Sequence, residues 1–185
     1  GESYSESSST KVEEKPPMPE VSVPNGKTED NLRKRGRYPV YRKMSEIVPQ
    51  PINWLWKDYI AKGTFTLITG EPELGKSQIT LSMASIVTIG ENWPVSGEKC
   101  EEGNVIILSD EDNPENTIHP RLEANGANID KIHYFDGIGE GDSNSDCQLF
   151  KLKTDLRELE TMINDIKGVS MIVVDPLSAY LAGVD

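Results

Sequence analysis

Gly70, four residues, then Gly75, Lys76 and Ser77 form a spacing that can hold phosphate. Phosphate oxygens need backbone N–H donors converging from a concave loop. Larger side chains at the tight positions would obstruct that approach, so Gly70 and Gly75 are expected to supply the room. The amides around Glu73 to Ser77 would cradle the phosphates at a helix start, where unpaired N–H groups and the helix dipole favour negative charge. Lys76 would reach the β and γ phosphates of a nucleotide, and the Ser77 hydroxyl would ligate Mg²⁺. The expected contact set is therefore Gly70, Glu71, Pro72, Glu73, Leu74, Gly75, Lys76, Ser77 and Gln78. Glu71 and Glu73 put carboxylates into a loop that receives anions, so their side chains should face solvent or a neighbouring subunit while the backbone binds.

Two further acidic positions bear on the same chemistry. Asp110, Glu111 and Asp112 follow the apolar run NVIIL, and Asp175 follows VSMIVV. Hydrolysis of a nucleotide needs a carboxylate that orients the attacking water, and Glu111 is the candidate. The plainer reading is an acidic loop capping the helix that starts at residues 113–116. An apolar strand ending in an aspartate downstream of such a loop is a Walker B strand, with Asp175 holding Mg²⁺ through water.

Positioning these residues requires strands that end where the loops begin. FTLIT (65–69) reads as the strand that enters the glycine loop, and 76–89 as the helix that leaves it. That helix should bury Ile79, Met83, Ile86 and Val87 and end at Gly90. Asn104 to Leu108 reads as a strand covered on both faces, which delivers the acidic cluster to the carboxyl edge of an open α/β sheet, the edge that also carries the glycine loop. A helix over 114–125, a strand at KIHYF (131–135) and a helix over 154–167 burying Leu156, Leu159, Met162, Ile163 and Ile166 complete the pattern. DGIGEGDSNSD (136–146) lacks periodicity and EF-hand spacing and reads as a mobile surface loop. ENWPVSGEKCEEG is a turn-rich link.

Composition bounds the rest. The chain has 185 residues and a net charge of −12, with no apolar run near the length of a membrane span and no visible signal peptide. A cytoplasmic setting is expected. Cys100 and Cys147 lie far apart without zinc-like spacing. Residues 1–32 are rich in Ser, Glu, Pro and Lys and read as disordered. Arg33, Lys34, Arg35, Arg37, Arg42 and Lys43 follow, read as a solvated linker in preference to a contact for nucleic-acid phosphates. The boundary is placed near residue 44, giving a disordered, basic stretch at 1–44 and one domain at 45–185. Trp54 and Trp56 are expected to pack on that domain's edge, although two close tryptophans could stack a base.

Taken together, WLW, GEPELGKSQITLSMASIVT, ENWPVSG, GNVIILSDEDNPENTIHPRLEANG and MIVVDPLSAYLAG closely resemble the AAA_25 group of RecA-like P-loop ATPases, over residues 48–185. The group includes RepA-type replicative helicases of plasmids and ATPases of phage and other mobile elements. The resemblance implies an α/β RecA-like core with a mostly parallel sheet flanked by helices. It also implies ATP with Mg²⁺, a homo-oligomeric ring, expected to be a hexamer, and single-stranded DNA as a partner. Carried over, the P-loop falls on Gly70 to Ser77, with Lys76 and Glu111 catalytic and Ser77 and Asp175 on the metal. Glu73 departs from the glycine frequent at its position and is expected to be tolerated. The chain stops at Asp185, before the sensor strand and arginine finger of the resembled ring, so the core is expected to be C-terminally incomplete and to hydrolyse little alone.

Overall fold

The computed structural model describes residues 40–139 and 147–181. The basic residues Arg33, Lys34, Arg35 and Arg37, and the whole of 1–32, lie outside them. The chain divides into two compact units, Gly1–Pro51 and Ile52–Asp185. Described residues of the first unit form one short 3₁₀ turn, Met44–Glu46, and are almost all exposed, Arg42 and Lys43 included.

The second unit opens with an antiparallel ribbon of β1 (Trp54–Trp56) and β2 (Ile60–Ala61). Leu55 is buried, and Trp56 stacks on Tyr59 at 4.5 Å and on Trp93 at 4.9 Å between ring centroids. Trp56 therefore packs on the domain, as its apolar mass suggested, and Trp54 is half-buried. Trp93 comes from the turn-rich link, which closes on itself through the Trp93 N–H to the Glu98 carbonyl, 2.9 Å, and the Asn92–Lys99 bridge.

Helix α1 (Lys76–Ile89) has the bounds its sequence suggested, and Gly90 ends it in the left-handed conformation, φ 63°. The central sheet has three parallel strands in the order β4 (Ile132–Tyr134), β3 (Asn104–Ser109), β7 (Val169–Asp175). Alternation along β3 sends its side chains to opposite faces. Val105 and Ile107 join Val173 and the α1 residues Leu81, Met83, Ala84 and Val87 in one core. Ile106 and Leu108 join Phe150, Leu159 and Tyr180 in a second. Helix α2 (His119–Ala124), entered through a π-helical turn at Pro114–Ile118, contributes Ile118 and Leu122 to the first layer. Helix α3 (Leu156–Ile166) covers the second. The result is an α/β fold with a parallel three-stranded sheet flanked by helices, consistent with a RecA-like P-loop core.

Four expectations are corrected. Phe65–Thr69 forms no strand: it has no sheet partner among the described residues, and Phe65 and Leu67 are 70% and 60% exposed. A lone extended segment gains neither ladder hydrogen bonds nor burial, whatever its β propensity. Ile79 is exposed, because only residues from Leu81 onward on α1 reach the buried layer. Leu156 is exposed at the first residue of α3, whose packed residues begin at Leu159. Finally, part of the glycine-rich acidic stretch is regular: β5 (Ile138–Gly139) pairs antiparallel with β6 (Cys147–Gln148), and residues 140–146 lie outside the described residues.

Candidate functional site

The glycine loop owes its shape to backbone at two positions. Gly75 caps α1 with φ 80°, a conformation that favours glycine, and Glu73 adopts φ 65° without being glycine. A Cβ at Gly70 would meet only the Lys76 Cδ, at 3.8 Å, an ordinary contact, so the protein itself does not crowd that position. Glu71 and Glu73 are both exposed.

Ile79 N–H is the first amide of the helix to find a backbone acceptor, the Gly75 carbonyl at 3.0 Å. The amides of Lys76, Ser77 and Gln78 precede it without intrahelical acceptors, and no side chain caps them. Lys76 folds back over the loop, its Nζ donating to the Gly70 carbonyl at 3.0 Å and the Glu71 carbonyl at 2.9 Å. A cation held only by neutral carbonyls beside uncapped amides is the donor set that an anion of phosphate type needs. Gln78 turns toward α2, donating to Asn125 Oδ1 at 3.2 Å. At the far end of α1, the Val87 carbonyl accepts from Gly103 N–H at the start of β3, 3.0 Å, which ties the helix to the amino end of that strand.

The acidic residues are framed differently. In the parallel register Ser109 stands beside Asp175, so the carboxyl ends of β3 and β7 are level. Asp110 N–H donates to the Asp175 carbonyl at 3.2 Å, which fixes the turn carrying Asp110, Glu111 and Asp112 against the end of β7. Asp112 pairs with Arg121 of α2 at 3.1 Å, and its N–H donates to Ser109 Oγ at 3.2 Å. Asn113 caps the π-helical turn, accepting from the Glu115 and Asn116 amides. The helix-capping role is therefore taken by Asn113, and Glu111 is left exposed. No hydrogen bond or ion pair among the described residues joins Gly70–Ser77 to Glu111 or Asp175.

Several residues at this edge carried no sequence signal. Tyr134 donates its hydroxyl to the Ser109 carbonyl at 2.7 Å. Burial pushes the Tyr134 phenol up, and Asp136, Asp110 and Glu115 add to the rise. Burial also pushes Tyr180 up to about 12, with Tyr134, Asp110 and Asp175 contributing. Arg121, nine positions beyond Asp112, could not be matched to it without the turn between them.

No curated protein and no solved structure matches the chain. The AAA_25 family model, described as an AAA domain, matches residues 39–185, well over half of the chain and inclusive of the glycine loop, the acidic turn and Asp175. The chain thus belongs to the AAA_25 family of AAA domains, nucleotide-binding ATPases of the P-loop class.

Proposed function

We propose that the domain binds ATP with Mg²⁺ at Gly70–Gln78 and hydrolyses it as one subunit of a homo-oligomeric ring, expected to be a hexamer, that translocates along or remodels DNA during replication of a plasmid, phage or mobile element. The observation that carries the nucleotide part is the state of Lys76: its ammonium rests on two carbonyls of its own loop beside three uncapped amides. Phosphate oxygens would exchange those weak partners for charge-assisted ones. The Ser77 hydroxyl, with no hydrogen-bond partner among the described residues, and the Asp175 carboxylate are the groups suited to hold the ion, directly and through water. An ion held by these two residues would supply positive charge to offset that of the phosphates. Glu111, exposed on a turn anchored to the end of β7, is free to orient a water, and Lys76 offsets charge developing on the phosphate.

The DNA role rests on the resemblance of the motif set. A second reading, a nucleotide-switched regulatory or assembly ATPase, is favoured by the net charge of −12, which opposes approach to nucleic-acid phosphates. ATP hydrolysis by the full-length protein, with and without single-stranded DNA across a salt series, separates the two. The motor reading expects strong stimulation that weakens with salt, because phosphate contacts release counterions. It also expects Glu111→Gln to retain bound ATP and stall turnover. Hydrolysis indifferent to DNA would establish the regulatory reading instead.

A further inference from the structure

Helix α2 touches both halves of the candidate site. Asn125, which ends it, accepts through Oδ1 from Gln78 Nε2 at 3.2 Å. Gln78 belongs to the first turn of α1, and its own N–H is one of the three uncapped amides beside the glycine loop. Arg121, in the same helix, donates to Asp112 Oδ2 at 3.1 Å, next to Glu111 in the acidic turn. Asn125 N–H donates to the Arg121 carbonyl at 3.0 Å, so both side-chain contacts leave from a single helical turn. Leu122, 3% exposed, sets that turn into the first core layer.

Stability does not explain the two contacts. The Arg121 and Asp112 side chains are 44% and 27% exposed, and an ion pair so open to water adds little. Asn125 Nδ2 is buried without a hydrogen-bond partner among the described residues, which costs stability. The acceptor of the same amide serves an exposed glutamine. An apolar side chain of similar size would fill the place at lower cost. What the contacts share is where they lead: one to the glycine loop, the other to the turn that bears Glu111.

Glu111 makes no side-chain hydrogen bond or ion pair among the described residues, so its neighbours set its place. Asp110 is tied to β7, and Asp112 is tied to Ser109 and to Arg121. We propose that Arg121 and Asn125 are positioning residues, which hold the Glu111 turn and the glycine loop in one register across α2. The proposal rests on the ATP reading, with Glu111 orienting the attacking water; Arg121 acts through Asp112 and Asn125 through Gln78. A shift of about 1 Å in a group that orients a reactant costs up to about 100-fold in rate.

The test is steady-state ATP hydrolysis by the full-length protein, with MgATP calorimetry and urea unfolding of the 185-residue chain alongside. Arg121→Ala is expected to lower kcat about tenfold while KM, MgATP affinity and the urea midpoint stay unchanged. In an Asp112→Ala background the same substitution should have no further effect, because its route through Asp112 is gone. Asn125→Leu is expected to lower kcat about threefold while the urea midpoint holds or rises, the unpartnered amide having been removed. An asparagine with a purely structural role would lose stability and activity together. MgATP bound alike by parent and variants with equal kcat, or an Arg121 effect that persists without Asp112, would overturn this proposal and leave the ATP reading standing. A parent that binds no MgATP would refute the ATP reading and this proposal with it.

Discussion

Two short apolar runs of similar make-up meet opposite ends in this molecule. Val105–Leu108 is buried on both faces of the sheet, and Phe65–Ile68 lies largely in solvent. The difference is not in the residues. β3 has a parallel strand on each side and a packed layer on each face, whereas Phe65–Thr69 has no sheet partner among the described residues. Strand propensity describes how well a side chain fits a paired, half-buried surface, and it does nothing where no such surface exists. The two halves of the candidate site inherit this contrast. The acidic turn is fixed to two strand ends, and the glycine loop is held by α1, which is tied to β3 at its far end.

The contrast can be broken most forcefully in the core. Ile107, 2% exposed, faces α1; replacing it with alanine should cost about 3 kcal/mol by urea unfolding of this chain. Leu67→Ala, at 60% exposure, should stay within about 0.5 kcal/mol. Similar losses at both sites would mean that Phe65–Thr69 is paired in solution. Smaller effects sharpen the contrast within the loop. Gly75→Ala must adopt φ 80° and should lose about 1 kcal/mol. Glu73→Gly removes a left-handed non-glycine residue and should gain about 0.5 kcal/mol in the same unfolding assay. A loss at Glu73→Gly would show that its side chain, and not only its backbone, supports the loop.

What the sequence made legible follows the same division. The bounds of α1, the strand β3 and the strand ending at Asp175 could be read because each is specified locally: a glycine stop, a β-branched run, an aspartate at the edge. The isolation of Phe65–Thr69 could not, because pairing depends on a partner distant in the chain. Gly139 and Cys147 pair across a stretch with no alternation to announce it. Ile79 and Leu156 sit at helix starts that project beyond the buried layers, and periodicity along the helix says nothing of where its neighbour ends. At the site, Lys76, Ser77, Glu111 and Asp175 stood out by motif. Tyr134 and Tyr180 did not, since a tyrosine at the end of a strand or in a 3₁₀ turn looks like any core residue until the neighbouring carboxylates are placed.

The central claim is that the glycine loop binds nucleotide phosphate through backbone amides and Lys76 without help from a paired strand before it. The most direct measurement is the affinity of this 185-residue chain for MgATP, by calorimetry, against Lys76→Ala. Lys76 bonds only within its own loop, so the variant should unfold at the same urea concentration as the parent. The account expects wild-type binding and a loss of at least about 100-fold in Lys76→Ala at unchanged stability. Equal affinity in the two proteins would contradict it.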